Sequence, residues 1–190
     1  MMEDSDAVAK ARGGDPDAFR VLVERHSHAL FRLTHRMTGN EQDAEDLVQE
    51  TFLRAYRQLG RFESRAQFRT WLFRIATNCS LDLLRKRKRR EERCDSVDAG
   101  SSETLAWLPS ATLEPDRAVL NREVQQRVEL ALLQLTPLER AAFVLRHFEN
   151  SSIDEISSAL NLGQSAAKQA IFRAVQKVRR SLQPLVSSAP

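Results

Sequence analysis

Residues 151–182 read SSIDEISSALNLGQSAAKQAIFRAVQKVRRSL, two amphipathic segments on either side of a tight break. In the first, Ile153, Ile156 and Leu160 fall on one helical face, and Ser152 with Glu155 has the spacing of a capping box. Asn161-Leu162-Gly163 supplies the break. Asn tolerates left-handed backbone, Leu162 plugs the angle, and Gly163 is suited to cap the next helix. In the second segment Ala167, Ile171, Ala174, Val175, Val178 and Leu182 make one apolar stripe. The opposite face carries Ser165, Lys168, Gln169, Phe172, Arg173, Gln176 and Arg180, and no acid occurs from Gln164 to Gln183. This is the layout of a helix-turn-helix. A helix of that width fits the major groove, where Gln and Arg meet base edges and Lys neutralises phosphate. The competing reading is a plain helical hairpin with a solvated polar face; the capping signals, the short turn and the acid-free second helix favour DNA.

Working outward, the rest of the chain also reads as helix. No alternating β-branched run suggests a strand, and the six prolines sit at helix starts, in the middle stretch or at the tail. Asp15-Pro16 and Thr136-Pro137 have the order of an N-cap followed by the first helical residue, and Thr136 with Glu139 forms a second capping box. Periodicity predicts helices over about 4–12, 16–38, 41–59, 67–90, 116–134, 137–148, 152–160 and 164–182. Residues 91–115 are rich in Ser, Asp and Pro and lack helical period. The expected fold is therefore all-α: a helical domain over 1–90, a flexible acidic linker over 91–115, a helix-turn-helix domain over 116–183 and a tail over 184–190. Trp107 within the linker has no assigned role.

Charge is distributed in blocks although the net charge is only +3. Seven of the nine residues from Arg85 to Arg93 are basic, whereas Cys94 to Asp116 holds five acids and no base. Such blocks suit a polyanion partner at two places, separated by an acidic tether. A second concentration lies at residues 61–78, RFESRAQFRTWLFRIATN, which holds four arginines and four of the chain's twelve aromatic residues. Phe68, Trp71, Leu72, Ile75 and Cys79 share one helix face and read as core. Phe62, Arg65 and Gln67 precede that helix and fall off its stripe, and rings with arginines outside a core bind unstacked bases.

Other classes of function find no support. The six glycines never assemble into a G-x-G-x-x-G or P-loop pattern, and no nucleophile elbow occurs. Cys79 and Cys94 are too few for a disulfide framework or zinc site, and His26, His28, His35 and His147 show no ligand spacing with them. Glu41, Asp43, Glu45, Asp46 and Glu50 could suggest a carboxylate metal site, but on a helix they point several ways, and acids are normal in a first turn. No apolar run reaches membrane-spanning length and no signal peptide opens the chain, so a cytoplasmic protein without membrane insertion is expected.

The stretch DAEDLVQETFLRAYRQLGRFESRAQFRTWLFRIATNCSLDLLRKRKRR resembles the second conserved region of bacterial sigma factors. LTPLERAAFVLRHFENSSIDEISSALNLGQSAAKQAIFRAVQKVRRSL resembles their fourth region. A chain with only these two regions and a linker is similar to the extracytoplasmic-function (ECF) group. The resemblance implies a non-enzymatic specificity subunit, without cofactor, that binds core RNA polymerase and promoter DNA; an anti-sigma factor is common in the group. It implies that Asp46, Gln49, Glu50 and Leu53 dock on the polymerase's largest subunit; their spacing puts them on one helix face. It implies that the loop of Phe62, Glu63, Ser64, Arg65, Ala66 and Gln67 captures a flipped minus-ten base, with Trp71 and Asn78 beside the opened duplex. Arg85 and Arg87 would follow the DNA backbone. Ser165, Lys168, Gln169, Phe172, Arg173 and Gln176 would meet the minus-thirty-five element. Many members carry Ser-Arg and then Leu-His-Arg after the lysine, where this chain has Gln169, Ala170, Ile171, Phe172 and Arg173. Phe172 is left with two readings, contact with thymine methyls or inward packing. The rival from another class is a free-standing helix-turn-helix regulator, which would bind a palindrome tightly without polymerase.

Overall fold

The computed structural model describes residues 3–62, 67–94 and 125–187. All regular elements among them are helical: α1 (Asp4–Arg12), α2 (Pro16–Thr38), α3 (Glu41–Gln58), a 3-10 turn (Leu59–Arg61), α4 (Phe68–Cys94), α5 (125–133), α6 (Pro137–His147), α7 (Ile153–Leu160) and α8 (Gln164–Ser187). Local signals set most of the ends. The Asp15 carboxylate accepts from the Asp17 and Ala18 amides at 2.9 and 3.2 Å, and Pro16 takes the first helical position of α2. Gly39 ends that helix with φ 69°, a backbone state that glycine adopts at little cost. Asn40 caps α3 by accepting from the Asp43 amide at 2.9 Å.

The helices α1–α4 form one bundle, in which Leu22, Leu30, Leu33, Met37 and Leu72 are fully buried. The Thr34 hydroxyl lies 3.1 Å from the Leu30 carbonyl and 3.2 Å from that of Ala44, which joins α2 to α3 without leaving a buried polar atom unpaired. Cys79 is buried among the apolar side chains of α4, and that burial pushes its thiol up from the ordinary value. A second unit, α5–α8, centres on Leu132, Val144 and Ile156. The two units are in contact: α2 and α4 of the first pack against α6 and α7 of the second.

Two expectations need correction. Helix α4 does not stop near residue 90 but runs to Cys94, and α8 does not stop near 182 but runs to Ser187, into the expected tail. Arginine and lysine are strong helix formers, and Lys88 pairs with Glu92 one turn on at 3.8 Å. The expected linker residues 95–115, the start of the expected helix at 116–124 and Trp107 lie outside the described residues. The second correction concerns Phe62. Its ring is not displayed before the helix but is buried, 5.0 Å from the Trp71 ring and 5.9 Å from that of Phe68. The 3-10 turn folds the chain back so that an off-stripe residue still reaches the core.

Candidate docking and nucleic-acid interfaces

The α8 surface is built by its own amphipathicity. Ala167, Ala170, Ala174 and Val178 are buried against α6 and α7, which turns Ser165, Lys168, Gln169, Phe172 and Arg173 to solvent. Gln176, one turn further, is half-buried. Phe172 is 63% exposed, which excludes inward packing. The turn before α8 is as read: Asn161 is left-handed (φ 53°, ψ 49°) and Leu162 packs on the core. Both capping boxes form. The Glu155 amide donates to Ser152 Oγ at 3.2 Å while Glu155 Oε2 accepts from the Ser152 amide at 2.7 Å, and Thr136 with Glu139 does the same at 3.3 and 3.1 Å. One basic residue of α8 is structural: Lys177 Nζ lies 2.7 Å from Glu139 Oε2. Burial pushes the Glu139 carboxyl up, but the bonds from Lys177 and Thr136 outweigh it and hold it below its ordinary value.

Gln67, just before α4, and Trp71, Arg74 and Asn78 on it fall at i, i+4, i+7 and i+11, so they lie along one ridge; Gln67, Arg74 and Asn78 are exposed and Trp71 is half-buried. Trp71 packs its ring against Phe62 and Phe68 and keeps part of its surface in water. Glu63, Ser64, Arg65 and Ala66 lie outside the described residues. Further along, Arg85 is exposed and lies 3.5 Å from Asp82 on its own helix. Arg87 is tied back to α3, with Nη2 2.5 Å from Asp43 Oδ1, so the structure does not present it with Arg85 as a free basic surface. Its side chain is long enough to pair with whichever anion is nearer.

On α3 the structure brings Asp46, Gln49 and Leu53 to solvent on one ridge. Leu53 is 52% exposed, a large apolar side chain without an intramolecular cover. Glu50 is drawn toward Arg54 instead, at 2.6 Å, and this bond pushes the Arg54 guanidinium up. Two neighbours escaped the sequence reading. Tyr56, one turn beyond Leu53 and 55% exposed, rests edge-on against Phe19 at 4.9 Å. Arg74 sits between Trp71 and Asn78 on the α4 ridge. The spacing i, i+3 from Leu53 and from Trp71 was the available signal for both. Among the described residues no group of three or more His, Cys, Asp or Glu side chains could hold a metal ion, and no helix is long and apolar enough to cross a membrane.

These three surfaces are arranged on a fold with known relatives. The model for sigma-70 region 2 matches residues 22–90, and that for sigma-70 region 4 matches residues 125–178. The chain is 32% identical over 180 residues to the ECF RNA polymerase sigma factor SigW of Bacillus subtilis, covering 94% of this chain and 96% of the relative. It is 34% identical over 189 residues to the RNA polymerase sigma-H factor of Pseudomonas aeruginosa, covering 98% and 97%. Among solved structures, CnrH in complex with the cytosolic domain of CnrY superposes with TM-score 0.65 at 29% identity, covering 94% of this chain and 96% of that one. The sigma factor RpoE of Bartonella quintana, in complex with the anti-sigma factor NepR, shares the fold with TM-score 0.70, covering 87% of this chain and 96% of that one. A two-unit helical protein with a helix-turn-helix second unit is thus of the sigma-70 class. The chain belongs to the ECF sigma factors of that family.

Proposed function

We infer that the chain is an RNA polymerase sigma factor that joins core polymerase in the cytoplasm, recognises two promoter elements and promotes opening of the DNA. The observation that carries this reading is the acid-free α8 face, with Lys168, Gln169, Phe172 and Arg173 all turned to solvent on a helix whose other side is core. A helix-turn-helix places such a face in the major groove of duplex DNA, which suits the upstream element. Residues 116–183 would therefore read the minus-thirty-five element. The unit over 1–90 would bind both core polymerase, through Asp46, Gln49, Leu53 and the added Tyr56, and the minus-ten element. Gln67, Trp71, Arg74 and Asn78 would flank the opened duplex, where Arg74 adds a cation between two side chains already expected there. Phe62 would act as the anchor of the base-capturing loop rather than as a stacking platform. Arg85 would contact phosphate, and Arg87 would do so after exchanging Asp43 for the DNA backbone.

The chain's part is binding and positioning; bond formation belongs to the polymerase. An anti-sigma factor that covers the α3 and α8 faces is the partner the reading implies, since two solved relatives are held by a second protein, in one case called an anti-sigma factor. In vitro transcription with core polymerase on a promoter library, with and without the chain, tests the proposal. The expected result is initiation that depends on the chain, from sites sharing two asymmetric elements. A palindrome bound tightly by the chain alone would point instead to a free-standing regulator.

A further inference from the structure

His26 is a buried polar side chain that none of the surfaces described above uses. It lies on α2 at 6% exposure, with Nε2 2.8 Å from Asp4 Oδ2 on α1. The other Asp4 oxygen accepts from Arg25 Nη1, so the carboxylate spans two adjacent residues of α2. Ala7, Val8 and Ala11 are buried where α1 packs on α2, so α1 has a docking face besides these polar bonds. Beyond the imidazole lie rings. Its centroid is 5.5 Å from that of Phe68, the first residue of α4. Phe68, 4% exposed, lies in turn 5.9 Å from Phe62 and 5.7 Å from Trp71. A chain of contacts therefore runs from a carboxylate at the start of α1 to the half-buried ring of the α4 ridge. At the other end of α1, Arg12 donates from Nη2 to the Gly60 carbonyl at 3.4 Å, two residues ahead of Phe62.

Packing alone does not fix such a cluster. The outer torsion of a histidine side chain is broad, so its ring turns unless a polar partner holds it. A bond to a carboxylate is stronger than one between neutral groups, and it sets the plane of the imidazole. The tilted and edge-on contacts beyond it depend on that plane. We propose that Asp4 and His26 are positioning residues for engagement of the minus-ten element. Asp4 holds the His26 ring, His26 holds Phe68, and Phe68 sets Phe62 and Trp71 where the opened strand meets them. Asp4 and His26 act through these rings and do not themselves touch DNA. The consequence for the promoter rests on the sigma-factor reading, whereas the ring placement is a property of the free chain.

Trp71 fluorescence reports the ring placement directly. The chain has two tryptophans, so the full chain is studied with Trp107→Phe as background. Asp4→Ala removes the anchor, and His26→Gln keeps a donor but removes the ring. Each should raise acrylamide quenching of Trp71 while far-ultraviolet circular dichroism stays the same. Asp4→Asn keeps an acceptor and should restore most of the protection. Holoenzyme is then titrated with a labelled single strand carrying the minus-ten sequence selected from the promoter library, and separately with duplex minus-thirty-five DNA. Asp4→Ala and His26→Gln should each lose affinity for the single strand roughly tenfold, the scale of one hydrogen bond to a charged group. Residues acting in series are not additive, so the double variant should lose little more than either single one. Affinity for core polymerase and for the duplex should stay at the wild-type value. Unchanged quenching and single-strand affinity, or a loss shared equally by core, single strand and duplex, would overturn the positioning role. So would losses that simply add. If the wild-type chain directs no initiation, the sigma-factor reading falls, while the quenching comparison still decides whether Asp4 and His26 place Trp71.

Discussion

At the scale of the residue, exposure separates side chains that look alike in the sequence. Phe62 and Phe172 are both aromatic residues beside arginines, yet one is buried in the ring cluster with Phe68 and Trp71 and the other stands in solvent. Phe62→Ala should therefore lower stability by about 3–5 kcal/mol, as large core truncations do, readable by denaturant unfolding. Gln67→Ala, at an exposed site, should stay within about 0.5 kcal/mol. It should nonetheless reduce permanganate reactivity of unpaired thymines at the promoter; unchanged reactivity would make Gln67 merely the residue before α4. Lys168 and Arg173 differ in another way. Arg173→Ala should cost ~1–3 kcal/mol at the preferred sequence and relax selection at one or two base pairs. Lys168→Ala should weaken all sequences alike and lower the salt slope by about one, measured as holoenzyme affinity against salt concentration.

At the scale of the element, each helix presents a face whose content follows from what its other side buries. On α3, Ala44, Leu47, Thr51 and Ala55 go inward, and Asp46, Gln49 and Leu53 are left outside. Asp46→Lys combined with Glu50→Lys should abolish co-purification with core polymerase, since like charges facing each other across an interface cost several kcal/mol. Folding should be little affected, because the half-exposed Glu50–Arg54 pair, at i, i+4 on one helix, is worth only about 0.3–0.5 kcal/mol. On α6 and α7 the capping carboxylates link stability to pH. Glu155 is held below its ordinary value of 4.5 first by the bond from the Ser152 amide, and Glu139 by Lys177 and Thr136 against its burial. Because the folded values lie below the unfolded ones, the unfolded chain binds more protons in acid, and stability rises with pH through this window. The thermal midpoint of the α5–α8 unit should hold above about pH 4.5 and fall as pH drops through the depressed values. A midpoint that does not move between pH 6 and pH 3 would contradict the two capping boxes.

At the scale of the whole molecule, the junction of the two units carries the remaining consequences. Gly39 ends α2 with positive φ, and a Cβ there would fall 2.5 Å from Leu133 Cδ2 across the junction. Gly39→Ala should lower stability by about 1 kcal/mol or more, visible as a reduced denaturant midpoint. What the sequence by itself determined is everything local. Helix starts at Asp15, Thr136 and Ser152 and the left-handed stop at Asn161 are set by bonds spanning one to four residues, and the expected helix ends that fall among the described residues match to within about five residues. The solvent-facing side of α8 was legible for the same reason, since one helical period sorts core from solvent without reference to another element. Only the tertiary structure decided which residues a distant segment claims. Phe62 belongs to the core because the 3-10 turn folds it onto α4, and Arg87 meets Asp43 because α4 runs beside α3. Arg69 and Arg140 carry no periodic mark that tells a partner's arginine from a solvent's. Their roles come from contacts 80 to 103 residues apart for Arg69 with Glu149 and Arg140 with Met37, and a pattern read over one or two turns holds no information about separations of that size.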